Sequence, residues 1–260
     1  MIKQTLKKIL PPVLRQAIRR LISGIRELFL YPAFFSDLAK FRNLSRATKN
    51  RFPAEFLKIH PRLGEATDTT GFDNHYIYHP AWAARIVAKL NPEFHVDISS
   101  SLHFVTTVSA FVPVKAYDYR PAQLTLSGLE TGKADLLNLP FADNSIKSLS
   151  CMHTVEHVGL GRYGDPIDPD GDLKAIDELK RVLSPNGSLL FVVPIGKPSI
   201  EFNAHRIYSY DQISSYFSDL ELLEFALIPD NGGLFINASK EMTNSQDYGC
   251  GCFWFKKRLT

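Results

Sequence analysis

The chain has 260 residues, 45% of them hydrophobic and 22% charged. That is enough apolar material for one well-buried domain with an extension, and it excludes a disordered or collagen-like chain. The net charge of +3 conceals an asymmetry: residues 1–51 carry twelve Lys/Arg against two acids, and the rest carry eighteen against twenty-five.

The basic N-terminal part reads as a helical arm. Apolar residues at spacings of three and four predict helices over 2–10 and 13–30, separated by Pro11-Pro12. Such an arm over 1–50 suits an anionic membrane surface through residues 1–30, or packs its apolar stripe on the main domain; amphipathicity alone leaves both open. Nucleic acid is not expected, because the aromatic residues do not interleave with the bases. The arm has no apolar h-region or small-residue cleavage site, so no signal peptide is expected, and no run approaches the roughly 18–20 apolar residues of a bilayer span. Cys250 and Cys252 are one residue apart and Cys151 lies in an apolar segment, a poor disulfide framework. The expected location is cytoplasmic, with the arm allowing peripheral contact at the inner face of a membrane. Residues 36–70 read as a short helix and a polar connection, giving domain bounds of 1–50, 51–75 and 76–260.

From Tyr78 onward short apolar strands alternate with helical segments, the pattern of a parallel sheet covered on both faces. Helices are predicted over 80–90, 102–111, 170–183 and 210–217, the last capped by Ser209. Strands are predicted over 93–98, 114–118, 129–135, 145–152, 188–193, 220–228 and 248–256. The fold class is therefore α/β, a Rossmann-like doubly wound sheet of seven strands with a basic helical arm. In such sheets ligands bind beyond the carboxyl ends of the strands, where strand order reverses.

Residues 132–194 carry the most information: GKADLLNLPFADNSIKSLSCMHTVEHV, then LKAIDELKRVLSPNGSLLFVVP. This run resembles the C-terminal half of class I S-adenosylmethionine-dependent methyltransferases of the small-molecule, type 11-like group. The stretches FDNHYIYHPAWAARI, HTVEHVGLGRYGDPID, HRIYSY and YGCGCFWFKK resemble a narrower methyltransferase-like family of unknown function found in bacteria and nematodes. The wider resemblance implies S-adenosylmethionine as cofactor and a C-terminal antiparallel hairpin for the last two strands. It places Asp97, Ser99 and Ser101 at the cofactor's methionine end, with serine where the family pattern has glycine. It sets Asp118 at the ribose hydroxyls, Asp135 and Leu136 at the adenine, and His153 beside the methionine. The blander readings are a helix cap for the serines and a turn role for Asp118.

The loop GLGRYGDPIDPDG over 159–171 is long and acidic. By analogy with the family it meets the acceptor, with Arg162, Tyr163, Asp165 and Asp168 as polar contacts; its Asp-Pro pairs alternatively make a rigid turn. His157 and His205 are the candidate bases for a hydroxyl proton, while His75, Tyr76 and His79 are candidates for a lid. The expected function is an S-adenosylmethionine-dependent methyltransferase, O-directed on a polar small molecule or saccharide. The alternatives are a methyltransferase-fold binding protein without catalysis and a zinc hydrolase. His153-Thr154-Val155-Glu156-His157 also reads H-x-x-E-H, an inverted zinc-peptidase signature that needs a continuous helix and a third ligand. A strand ending at His153, with Gly159 and Gly161 beyond, argues against that helix, so no metal is expected there.

Overall fold

The structure, a computed structural model, describes residues 12–47, 52 and 54–259. The chain divides after Gly71 into two compact units. In the first, α1 (Pro12–Leu28) and α2 (Tyr31–Ala47) are joined by a tight turn, and a 3-10 turn at Phe56–Lys58 follows. Arg42 donates from Nε and Nη2 to the Ala54 carbonyl at 3.2 and 2.9 Å, tying α2 to the segment beyond it. Within its own unit α1 leaves Leu14, Ile18, Leu21, Ile22, Ile25 and Leu28 uncovered. The helix expected over 2–10 lies outside the described residues. No helix among the described residues is long and apolar enough to cross a membrane.

The second unit opens with α3 (Asn74–Leu90), six residues earlier than the sequence predicts. Asp73 caps it by accepting from the Tyr76 amide at 3.1 Å. Pro80 therefore lies inside the helix, not in its first turn. The buried positions His79, Trp82, Ala83, Ile86 and Val87 repeat at three and four, which keeps one face on the sheet. Next come β1 (His95–Ile98), α4 (Leu102–Val108), β2 (Val114–Asp118), β3 (Leu129–Lys133), β4 (Ile146–Met152), α5 (Gly171–Val182) and β5 (Leu183–Ile195). A small antiparallel ribbon, β6 (Ser199–Glu201) with β7 (His205–Ile207), precedes α6 (Tyr210–Tyr216), β8 (Leu220–Ile228), β9 (Phe235–Ile236) and β10 (Gly249–Lys257). The cap expected at Ser209 forms, and Gln212 completes it as a capping box.

The main sheet runs β3-β2-β1-β4-β5-β10-β8-β9. The first five strands are parallel, and β10 pairs antiparallel with both β5 and β8. Seven strands are those read from the sequence; the eighth, β9, has only two residues. Helices cover both faces. Along β5, Leu189, Phe191 and Val193 enter the core under α5 and α6, while Leu190 and Val192 enter the core under α3 and α4. A strand buried on both faces reads as a continuous apolar run, as this one does. Strand order reverses between β1 and β4, so the switch point lies at their carboxyl ends.

Candidate functional site

A cleft of about 250 Å³ opens at that switch point. Its walls include Ser99 after β1, Asp118 at the end of β2, Asp135 and Leu136 after β3, and His153 and His157 after β4. Two further cavities adjoin it. One shares Ser99, Asp118 and Arg120 and reaches Asp97; the other shares His153 and His157 and reaches His205 and Tyr248.

The turn after β1 is held from below. Asp97 is buried, accepts from the Ser100 amide at 3.0 Å through Oδ1, and accepts the Ser150 hydroxyl proton through Oδ2. With that proton given to Asp97, Ser150 Oγ accepts from His95 Nε2 at 2.9 Å, and His95 Nδ1 accepts from Ser148 at 2.7 Å. Burial pushes the Asp97 carboxyl up to about 6 and the His95 imidazole down to about 3. Ser99 adopts a left-handed backbone, φ 58°, the conformation in which glycine is at ease. Its carbonyl accepts from Thr154 Oγ1 at 2.9 Å. Ser101 has extended backbone and its hydroxyl caps α4, accepting from the Phe104 amide at 3.3 Å. The two serines therefore differ: Ser99 lines both the cleft and the cavity at Asp97, and Ser101 lines neither.

Asp118 and Asp135 each form a turn with one oxygen. Asp118 Oδ1 accepts from the Arg120 amide at 2.7 Å and Asp135 Oδ1 from the Leu137 amide at 2.9 Å. The turn reading and the ligand reading are compatible, since a carboxylate has a second oxygen to offer. Leu136 is buried against the sheet and supplies an apolar wall.

After β4 the chain does not continue as a helix. His153 has φ 54°, and a single 3-10 turn spans Val155–His157. His153 Nδ1 donates to Glu156 Oε1 at 2.7 Å, so the buried carboxylate is already engaged. His157 Nδ1 donates to the Ala204 carbonyl at 2.6 Å, which leaves Nε2 as the acceptor. The continuous helix that the inverted zinc-peptidase reading needs is not formed. Burial lowers the His157 pKa, so its ring is neutral at pH 7. His205 is half-buried in the adjoining cavity, its ring centroid 4.8 Å from that of Tyr248. His75, Tyr76 and His79 belong to α3; Tyr76 walls the same cavity, and His79 is fully buried.

The loop over 159–170 is a fixed turn. Asp165 accepts from the amides of Gly159, Tyr163 and Gly161, and Asp168 from Asp170. Gly159 has φ 79°, and a Cβ there would meet the Asp168 carbonyl oxygen at 2.0 Å, so the loop closes only on glycine. Buried Arg206 donates to the carbonyls of Val158 and Pro169 at 2.6 and 3.1 Å, fastening both ends. The loop carries Tyr163 to the cleft, where Arg120 lies over its ring at 4.6 Å. Arg120 and Thr154 were not among the residues expected from sequence. Arg120 stands two residues beyond Asp118, and Thr154 next to His153, the only hints the sequence offers.

A family described as "Caenorhabditis protein of unknown function, DUF268" matches residues 141–233. An uncharacterized protein of Methanocaldococcus jannaschii is 30% identical over 107 residues, 40% of this chain and 40% of that protein. The match thus spans about two fifths of the relative's length. Among solved structures, a Bacillus halodurans protein described as a candidate methyltransferase superposes with TM-score 0.50 at 16% identity, over 69% of this chain and 99% of that one. The N-methyltransferase NodS of Bradyrhizobium japonicum, solved with S-adenosyl-L-homocysteine, gives TM-score 0.48 at 11% identity over 69% and 86% of the two chains. The chain has a methyltransferase fold; at these identities the likeness is one of fold.

Proposed function

We propose that the protein is an S-adenosylmethionine-dependent methyltransferase, O-directed on a polar small molecule or saccharide. One observation carries this reading: residues from the tips of four adjacent parallel strands line one cleft at the switch point. Asp118 offers a carboxylate oxygen to the ribose diol. Leu136 and Asp135 border the adenine, the first by apolar contact and the second as an acceptor for its amino group. Ser99 and His153 line the methionine end, and Asp97, in the adjoining cavity, faces the amino group. Ser101 supports this end only by capping α4.

The cofactor supplies an electrophilic methyl group on sulfonium sulfur. With the cofactor bound, His157 Nε2 would take the proton of the acceptor hydroxyl as that oxygen receives the methyl group. His205 and Arg162 border the cavity beside His157 and orient a polar acceptor there. Calorimetry with S-adenosylhomocysteine tests the cofactor site. Saturable micromolar binding that is lost in Asp118→Ala is expected. Absence of binding at millimolar ligand would leave a methyltransferase-fold binding protein instead.

We also propose that residues 1–30 contact an anionic membrane surface. The apolar row that α1 leaves uncovered within its unit, together with the bases of the arm, supports this.

A further inference from the structure

Three of the stretches, FDNHYIYHPAWAARI, HTVEHVGLGRYGDPID and YGCGCFWFKK, lie far apart in the chain, yet they meet at one cluster in which His79, His153 and Cys250 are buried. His75 and His79 come from the first two turns of α3, His153 follows the end of β4, Tyr248 precedes β10, and Cys250 lies at the start of that strand. The His75 ring stacks on His153 at 5.2 Å and on Tyr248 at 5.1 Å, and His79 lies 5.1 Å from His153, all between centroids.

We propose that His75, His153 and Cys250 bind a divalent metal ion of the zinc class, with His79 beside them for the fourth position. One ligand atom from each of the three lies within 4.8 Å of the others. Tetrahedral zinc, with bonds of about 2.0–2.1 Å to nitrogen and about 2.3 Å to sulfur, draws such atoms to roughly 3.3–3.7 Å apart, so small side-chain rotations close the site.

The protons are already arranged for ligation. His153 Nδ1 donates to Glu156 at 2.7 Å, and its side chain is 3% exposed. Its other nitrogen, Nε2, is a buried acceptor with no partner. His79 repeats the pattern: Nδ1 donates to the His75 carbonyl at 2.7 Å, and Nε2 is buried and unpartnered. Two adjacent imidazoles, each with its proton fixed on the far nitrogen, leave two lone pairs desolvated. Ring packing does nothing for those lone pairs, whereas coordination satisfies them. A carboxylate behind a ligating imidazole is the usual outer partner that fixes its tautomer, and Glu156 is placed for that role.

A set of imidazoles with one thiol suits zinc and not the hard cations, which take oxygen ligands. On binding, the Cys250 proton passes to solvent and the thiolate bonds the ion. This set shares only His153 with the ligand pair of the H-x-x-E-H reading; His157 is not among the three clustered ligands. The ion would clamp α3, β4 and β10 together behind the cleft, and the proposal stands independently of methyl transfer.

The test loads the full chain with Zn2+ under reducing conditions and measures bound metal after desalting, with no cofactor present. One equivalent is expected for the wild type and for Cys151→Ser, whose thiol lies outside the cluster. Affinity measured against a chromogenic chelator should fall roughly 10–100-fold in Glu156→Gln and further in His153→Gln and Cys250→Ser. Co2+ loading of the wild type provides a second readout that does not depend on the variants folding: a thiolate-to-cobalt charge-transfer band is expected. No retained zinc in the wild type, or Co2+ binding without that band, overturns the proposal.

Discussion

Ser99 and His153 both hold left-handed backbone, φ 58° and 54°, at the ends of the neighbouring strands β1 and β4. Among the described residues they are the only non-glycine positions with positive φ that are not asparagine. Thr154, next to His153, donates to the Ser99 carbonyl at 2.9 Å, so the two turns are bonded across the switch point. Unfavourable backbone is concentrated where strand order reverses, as is common at functional sites.

The two serines of the first turn should therefore respond in opposite directions. Left-handed backbone costs a side-chain-bearing residue about 1–2 kcal/mol, and glycine loses about 0.5–1 kcal/mol of this through its freer unfolded chain. Ser99→Gly should leave stability unchanged or raise it by up to about 1 kcal/mol. Ser101→Ala removes a helix cap and should cost about 1 kcal/mol. Urea unfolding of both variants decides this, and a Ser99→Gly protein clearly weaker than wild type would contradict the strain argument.

Burial raises the Asp97 carboxyl from 3.8 in the unfolded chain to about 6 in the fold. The folded state therefore binds the proton more tightly. This contribution to stability is full below pH 3.8 and is lost as pH rises through 6. At about 1.4 kcal/mol per unit it amounts to roughly 3 kcal/mol. The difference in urea midpoint between wild type and Asp97→Asn should vary over that window and level off above pH 7. If Asp97 faces a cationic amino group of the cofactor, S-adenosylhomocysteine should bind more tightly above pH 6 than at pH 5.

His157→Gln keeps a ring-sized polar group at the Ala204 carbonyl but offers no imidazole base. With an acceptor in hand, kcat should drop by roughly 10²–10⁴-fold. Calorimetric affinity for S-adenosylhomocysteine should change less than tenfold. An equal loss of both would make His157 a structural residue of the cleft wall.

For the arm, the full chain carrying Leu21→Asp and Ile25→Asp is the informative variant. Wild type should co-sediment with vesicles containing phosphatidylserine, and less so as salt rises from about 0.1 to 1 M, where the screening length falls from about 10 to 3 Å. The double variant should lose more than tenfold in partitioning. Equal partitioning by the two proteins would remove the membrane proposal.

The central strand β5 and the strand β8 were legible because their Val, Ile, Leu and Phe runs are bounded by turn residues. Some edges were not. Pro80 reads as a first-turn proline, but the Asp73 cap and the buried face from His79 to Val87 carry the helix through it. Ser184-Pro185-Asn186-Gly187 reads as a stop; in the fold it lies inside β5, where the register against β4 shifts and Asn186 takes φ 61°. The β6–β7 ribbon has only three residues on each side, too few for a period to show. The cleft residues were legible one strand end at a time. The His75–His153–Cys250 cluster was not, because its members are scattered across most of the chain and only folding brings them together.

The central position of β10, between β5 and β8, has a consequence for biosynthesis. As the polypeptide leaves the ribosome, β1–β5 can assemble the cleft, but one flank of β5 and one edge of β8 wait unpaired for residues 249–257 to emerge. A stalled or clipped chain missing β10 would hold two sticky borders facing each other. Nascent molecules are then most prone to aggregate in the interval between the emergence of β8 and that of β10.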